Sequence, residues 1–470
     1  MKLWLFAATV VLASTSLANS QTSVQTLAPD VKSRVDDAVD QVVKSTGVPS
    51  ASVGIVQGGR IVYTQAFGDA RLKPRLPATA AMSYPVGSIS KQFTATCILL
   101  LQQDGKLTLD DPIAKWFPAL TRAKEVTLRQ ILSHTSGYED YAPQDYTIPA
   151  WMHPTDPAAL VAEWAGKPLD FDPGTQWQYS NTNFVLAALI VEKASGMTYW
   201  DFLKQRVLTP LGLTDVLNLD TDRDRVEPLG YERRALAPLR PAILEAPGWY
   251  FGDGSLAMPI ASLLKWDISI IDRTLLQPAS YDAFETEVPL KDGKSTHYAL
   301  GLSIRSQNGH RLLEHSGEVG GFVSENIVFP DDNLAIAVLT NQEASSAAGL
   351  IARAILPIVM PQPAVTSTVG KPEELQIKSI LTGLQSGSID RTLFTPDANY
   401  YFSAETLGDF SSSLKPLGAI TSVTETQNSL RGGMTYRGFT VVFTGGTSVT
   451  VSTYTIKDGR LEQLLVEGKQ

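Results

Sequence analysis

Four short runs rich in Leu, Ile and Val follow one another between residues 299 and 340. Ala299–Ile304 and Arg311–His315 flank the turn signal Gln307-Asn308-Gly309, and Ser324–Phe329 and Leu334–Thr340 flank Pro330-Asp331-Asp332-Asn333. Loops this short join antiparallel neighbours, because a parallel pair needs a crossover of about a dozen residues or more. The pattern excludes a doubly wound parallel sheet and makes an antiparallel sheet the framework of the fold. A further hairpin, Ser52–Val56 and Ile61–Thr64 around Gln57-Gly58-Gly59-Arg60, adds two strands, and a helical repeat (Val31, Val35, Val39, Val42, Val43) precedes it. Apolar positions at helical spacing also recur at Phe93–Leu101, Phe184–Ala194 and Ala261–Trp266, and Val126–Leu132 reads as a helix. The expected class is therefore α+β, with helices flanking an antiparallel sheet and a largely helical region beside it.

At 470 residues the chain exceeds what one ordinary core holds. The run from Leu356 to Gly370 has linker composition. Beyond it come helical patterns at Glu374–Leu384 and Ala404–Leu414. Alternating strands follow at Met434–Phe443, Val449–Ile456 and Leu461–Val466, with Lys457-Asp458-Gly459-Arg460 as a hairpin turn. The expected division is a signal peptide at 1–20, a larger domain at 30–356, a linker at 357–371 and an accessory α+β domain at 372–470. Lys2 followed by the apolar run Leu3–Ala13 and small residues to Ser20 is the layout of a secretory signal, with cleavage after Ala18 or Ser20. That run is shorter than the ~20 residues a membrane span needs. The expectation is a periplasmic or extracellular protein with no stable span in its mature form.

Composition narrows the partners. A net charge of -9 implies no basic surface and excludes nucleic acid. Cys97 is the only cysteine, so no internal disulfide forms, and its place on an apolar helix face makes it a core residue. The five histidines (His134, His153, His297, His310, His315) show no paired ligand spacing, so no metal or other cofactor is expected.

Three stretches carry chemistry. In Tyr84–Thr94, Ser88 and Lys91 stand three residues apart at a helix start, so a hydroxyl and an amine share one face. Free N–H groups at that end favour a developing negative charge. A buried lysine can lose its proton and accept one from serine. In Gln178–Phe184, Tyr179 and Asn181 lie two apart in an extended loop and point the same way, a phenol for proton transfer and an amide for orienting a carbonyl. In His315–Phe322, Gly317 follows a strand, and glycine there lets a substrate backbone approach the edge. His134, in Leu132-Ser133-His134-Thr135-Ser136-Gly137, reads as a structural residue that ties the turn together by hydrogen bonds.

The order and context of Ser88/Lys91, Tyr179/Asn181 and His315/Gly317, with the 132–137 segment, resemble the serine β-lactamase and penicillin-binding protein superfamily over roughly residues 35–355. The class C branch, with its D-peptidases and carboxylesterases, is the most similar. The resemblance implies a β-lactamase/transpeptidase-like fold and a secreted hydrolase that forms an acyl-enzyme on an ester or peptide substrate. Ser88 would be the nucleophile, and Lys91 and Tyr179 would share the proton work, with either as base. Asn181 would position the substrate, and the N–H groups of Ser88 and Glu318 would form the oxyanion site. A D-Ala-D-Ala carboxypeptidase, a class C-like β-lactamase and a silent peptide- or glycan-sensing relative are the competing readings. A Ser-His-Asp α/β-hydrolase is disfavoured, since Gly-x-Ser-x-Gly does not occur. The C-terminal domain resembles cone-shaped α+β folds related to nuclear transport factors. Two residues depart from the β-lactamase pattern. His315 stands where lysine is usual, and Glu318 adds a negative charge at the pocket edge, so a substrate lacking a carboxylate there is expected.

Overall fold

The computed structural model describes residues 26–144, 147–234, 237–307, 309–360, 371–431 and 434–468. The expected signal peptide, most of the expected linker and Asn308 of the hairpin turn lie outside the described residues. The chain falls into two compact units that divide between Pro361 and Gln362.

The larger unit opens with α1 (Pro29–Thr46) and the hairpin β1 (Ser50–Gln57) and β2 (Arg60–Arg71). After the short β3 (Leu76–Pro77) come the helices α2 (Ser90–Gln103), α3 (Leu128–Leu132), α4 (Asn181–Ser195) and α5 (Ile260–Ile271). The meander β4 (Ser303–Gln307), β5 (His310–Val319), β6 (Phe322–Phe329) and β7 (Leu334–Thr340) leads to α6 (Ala347–Val359). These strands form one seven-stranded antiparallel sheet in the order β3-β2-β1-β7-β6-β5-β4. Its centre joins distant parts of the chain: β1 pairs with β7, with Val53 opposite Val338 and Ile55 opposite Ile336.

Period-two alternation sorts the strand side chains into two layers. Val53, Ile55, Ile336 and Val338 face α1 and α6, packing on Val35, Val39, Ile351 and Ile355. Ala335, Ala337 and Leu339 face the helical side, where Phe93, Ile98, Phe184 and Leu264 form the larger core. Burying each large side chain contributes about 1.5–3 kcal/mol. Gly54 is required on this second face, because a Cβ there would lie 2.6 Å from Leu264 of α5.

The helix α2 is not amphipathic: every residue from Ser90 to Leu101 is buried. The polar side chains of its Ser90–Leu101 stretch are partnered, as burial demands. Thr94 bonds the Tyr199 hydroxyl at 2.7 Å, and Gln92 accepts from the indole N–H of Trp266 at 2.8 Å. Cys97 is buried and unpaired with another cysteine.

Several boundaries differ from expectation. The strand expected at Ala299–Ile304 begins only at Ser303. Gly301 has φ +79, and a Cβ on it would meet the Lys91 carbonyl at 2.8 Å, so this stretch turns against α2 instead of pairing. Conversely β5 runs on to Val319, so His315 and Gly317 lie within a strand. Residues 356–359, read as linker, complete α6 with Pro357 inside it.

The second unit holds α7 (Pro372–Gln385), α8 (Ala404–Leu414) and a four-stranded antiparallel sheet, β8 (Ile420–Arg431), β9 (Met434–Phe443), β10 (Ser448–Thr455) and β11 (Leu461–Gly468), in that order. Ile380, Leu384, Phe402, Phe439, Val441 and Val451 form its core. The strand β8 escaped sequence reasoning because it is an edge strand of mostly polar residues, paired only with β9.

Gly317 is the tightest point of the larger unit's site-bearing side. A Cβ there would lie 2.0 Å from the Val86 carbonyl and 2.6 Å from the Ser324 hydroxyl. Gly317→Ala is expected to destabilise by on the order of 1–3 kcal/mol, as overpacking does. Calorimetric melting checks this, and an unchanged melting temperature would contradict the contact.

Candidate active site

Ser88, the candidate nucleophile, sits on a turn. Residues Gly87–Ile89 form one turn of 3-10 helix that leads directly into α2. Gly87 has φ +53, and a Cβ on it would lie 2.6 Å from the Glu318 amide nitrogen. Glycine at 87 therefore lets the nucleophile turn rest against the Gly317–Glu318 peptide of β5.

Lys91, one turn on, is fully buried. Its Nζ lies 2.8 Å from Ser88 Oγ, 2.7 Å from Asn181 Oδ1 and 3.0 Å from the Asp253 carbonyl oxygen. Two of these partners only accept, so they take two N–H bonds. A neutral amine then has one lone pair left, and that lone pair faces the Ser88 hydroxyl. Burial drives the Lys91 pKa down to about 8, against the pull of the Asp253 and Asp140 carboxyls. The two ammonium and amine forms are thus both accessible near neutral pH.

Tyr179 and Asn181 straddle a helix start. Ser180 is extended (φ -151, ψ 117) and Asn181 opens α4, so Asn181 is helical and not part of the extended loop expected from sequence. Its amide is held on every side: Nδ2 donates to Asp140 Oδ2 at 3.3 Å and to the Ala142 carbonyl at 3.4 Å, while Oδ1 accepts from Lys91. Tyr179 stands beside Ser88, and burial holds its phenol well above the usual range, so it stays protonated.

His134 and His315 are both buried, and burial together with the nearby Lys91 charge keeps both neutral. His315 is pushed down to about 4. On β5 the pairing with β4 ends at Glu314, opposite Ser303, and the strand runs on to Val319. This stretch borders a cavity of about 810 Å³ that also contains Ser88, Tyr179 and Asn181.

Five carboxylic acids line that cavity: Asp140, Glu245, Asp253, Glu318 and Glu343. Among its described lining residues no Lys or Arg appears. Burial raises Asp140 and Glu245 and moves Asp253 and Glu343 to about 7. Asp253 Oδ2 accepts from the Tyr141 hydroxyl at 2.8 Å, whereas its buried Oδ1 meets no partner among the described residues. Glu245 and Glu343 accept from the N–H groups of Gly320 (3.2 Å) and Gly321 (2.7 Å), and Glu318 from that of Ala344 (2.6 Å).

All seven residues expected from sequence, Ser88, Lys91, Tyr179, Asn181, His315, Gly317 and Glu318, come together at this cavity or its wall. Sequence reasoning missed Asp140, Asp253, Glu245 and Glu343. The only signal was Gly252-Asp253-Gly254-Ser255, an acid inside a glycine-rich loop. Among the described residues no cluster of His, Cys, Asp or Glu has the arrangement of a metal site.

A nucleophile turn packed on the edge of an antiparallel sheet, with Lys and Tyr at its hydroxyl, defines a class of serine hydrolases. The chain belongs to the beta-lactamase family, whose model matches residues 35–360. It is 29% identical over 311 residues to penicillin-binding protein 4* of Bacillus subtilis, covering 63% of this chain and 68% of that protein. It is 30% identical over 331 residues to a D-aminopeptidase of Cereibacter sphaeroides, covering 68% of this chain and 63% of that protein's length. Its fold is similar to an octameric penicillin-binding protein homologue from Pyrococcus abyssi (TM-score 0.62, 22% identity, 93% of this chain and 98% of that one). It is also similar to a D-stereospecific amidohydrolase from Streptomyces sp. (TM-score 0.59, 28% identity, 68% of this chain and 97% of that one).

The Lys91 amine can take the Ser88 proton only when it is itself deprotonated. The rate at which a fluorophosphonate labels Ser88 is therefore expected to rise with pH through about 8 and then level off. Intact-mass kinetics over the neutral to alkaline range check this; a flat profile would contradict it.

Proposed function

We propose that this protein hydrolyses an amide or ester bond through an acyl-enzyme, and that its substrate carries a protonated amine close to the scissile bond. The observation that carries the reading is the acidic cavity around Ser88, lined by five carboxyl groups and no described Lys or Arg. An ammonium entering there lowers the pKa of Asp253 and Glu343 and is held by the charge it induces. A substrate carboxylate would do the reverse. The names of the similar proteins, a D-aminopeptidase and a D-stereospecific amidohydrolase, support an amine-bearing substrate of D configuration.

The roles are those that the family resemblance implies, and the contacts of Lys91 support them. The Lys91 lone pair takes the Ser88 proton as Oγ attacks the carbonyl carbon. The N–H groups of Ser88 and Glu318 receive the oxyanion, and such a donor is typically worth about 10²–10³ in rate. Tyr179, a protonated phenol at Ser88, gives its proton to the leaving amine or alcohol and recovers one from the Lys91 ammonium that took the Ser88 proton. Water then repeats the attack on the acyl-enzyme. Asn181 fixes the Lys91 amine, and His315 stands as a neutral wall where a β-lactamase has a cation.

The test compares the 4-nitroanilide of D-alanine with its N-acetyl counterpart, and uses Ser88→Ala as control. The free amine is expected to react at least tenfold faster in kcat/KM, the equivalent of about 1.4 kcal/mol. Ser88→Ala is expected to lose at least about 10³-fold. Equal rates, or preference for the acetylated compound, would overturn the amine reading. A lasting penicillin adduct on Ser88 would mark a carboxylate-reading, cell-wall type of enzyme instead.

Glu318→Gln keeps the hydrogen bond from Ala344 and removes the charge. It is expected to speed acylation by penicillin about fivefold, since unit charges about 4 Å apart in water differ by ~1 kcal/mol. Stopped-flow acylation rates measure this.

We further infer that residues 1–20 direct export and that the protein acts in the periplasm or outside the cell. Lys2 followed by the Leu3–Ala13 run supports this. Among the described residues no helix is long and apolar enough to cross a membrane.

A further inference from the structure

Behind the wall of the cavity, four groups form an unbroken line: Ser180, His134, Tyr298 and His315. The backbone N–H of Ser180 lies 3.1 Å from His134 Nδ1. His134 Nε2 lies 3.2 Å from the Tyr298 hydroxyl, which lies 2.9 Å from His315 Nε2. His315 Nδ1 lies 2.5 Å from the carbonyl oxygen of Ser316.

Both ends of this line have a fixed direction. A backbone N–H can only donate, so His134 Nδ1 holds a lone pair, and the proton of a neutral ring sits on Nε2. That N–H donates to the Tyr298 oxygen, and the Tyr298 proton is then left for His315 Nε2, which accepts. At the far end a carbonyl oxygen can only accept, so His315 carries its proton on Nδ1. The two deductions, made from opposite ends, meet at Tyr298 without conflict. Protonating either ring breaks the line: a second proton on His134 would face the Ser180 N–H, and one on His315 Nε2 would face the Tyr298 hydroxyl proton.

We propose that Tyr298 is a positioning residue of the active site, which joins the Nε2 atoms of His134 and His315 into one line and through His134 aims the Tyr179 phenol at Ser88. His134 clamps both neighbours of Tyr179: its ring accepts from Ser180, and its carbonyl accepts from the Gln178 N–H at 3.0 Å. Its ring also lies against the Tyr179 ring, with centroids 4.3 Å apart. His134 holds φ +58, a left-handed conformation that a non-glycine residue keeps only where its surroundings over-determine it. Tyr298 supplies that support from the meander side. Because both nitrogens of His315 are engaged behind the wall, this ring offers substrate neither a donor nor an acceptor.

The proposal rests on the acyl-enzyme reading only for its kinetic consequence. Facing the two rings are Lys91 from α2, Tyr179 from the segment before α4, Tyr298 from the turn before β4, and the rings themselves, while β6 sets Asn326 opposite His315.

The test is Tyr298→Phe, which keeps the aromatic ring and removes the hydroxyl, applied to the full chain labelled with ¹⁵N-histidine. In the unaltered protein, long-range ¹H–¹⁵N spectra are expected to show one ring protonated at Nε2 (His134) and one at Nδ1 (His315), neither titrating between about pH 5 and 9. In Tyr298→Phe both tautomers are expected to persist, held by Ser180 and Ser316, while the Nε2 resonances of His134 and His315 shift as they lose the hydroxyl between them. With the substrate, kcat is expected to fall by up to about 10²-fold through misplacement of Tyr179, with KM little changed. A His315 protonated at Nε2 in the unaltered protein, or Nε2 resonances and kcat unchanged in Tyr298→Phe, would overturn the proposal. A merely structural loss would lower the melting temperature and change KM and kcat together without a shift of the Nε2 resonances, and would also overturn it. Fluorophosphonate labelling of Ser88 separates the two readings: failure to label overturns the hydrolase reading, while the tautomer spectra alone decide the line of hydrogen bonds.

Discussion

A lysine amine with no access to water is the constraint around which the larger unit is arranged. A buried, unpaired cation costs several kcal/mol, and a buried unpaired amine still forfeits its hydrogen bonds. Lys91 escapes both penalties only because three acceptors meet at its Nζ, from the nucleophile turn, the start of α4 and the loop at Asp253. Those three segments are far apart in the chain. Forming this one set of contacts therefore forces the helical region to close on the sheet, and the same closure builds the cavity.

The placement of carboxyl groups follows from that closure. Asp140 and Asp253 stabilise the charged form of Lys91, while the low polarity that depresses Lys91 raises both of them. Where a β-lactamase reads substrate with a cation, this wall carries a neutral His315 and an acidic Glu318. The sign of this wall departs from the β-lactamase pattern, while the Ser88-x-x-Lys91 and Tyr179-x-Asn181 motifs match it.

The residues legible in the sequence were those whose chemistry is local. Ser88 and Lys91 are one helical turn apart, so their juxtaposition needs no knowledge of the fold. Tyr179 and His315/Gly317 could be assembled with them only through the order of short motifs that resembles a known family. The sheet was legible too, because hairpin turns announce antiparallel pairing. What escaped was set by contacts distant in sequence. Asp140, Glu245, Asp253 and Glu343 look like ordinary loop acids until the loops are folded. Gly301 turns away from its expected strand because of the Lys91 carbonyl, a neighbour invisible along the chain. The edge strand β8 carries few apolar residues, so its period-two pattern never rises above the background.

The complete burial of α2 has a consequence for how the enzyme is lost. A helix with an exposed face can fray and reclose locally, whereas one wrapped from Ser90 to Leu101 has no partial opening that leaves the core intact. Its amide hydrogens should be among the last in the unit to exchange with solvent. Inactivation by heat or denaturant should then track cooperative unfolding of the whole unit, not a softer event at the site. Durability of the nucleophile is thus a property of the core, inherited by every substrate the loops come to accept.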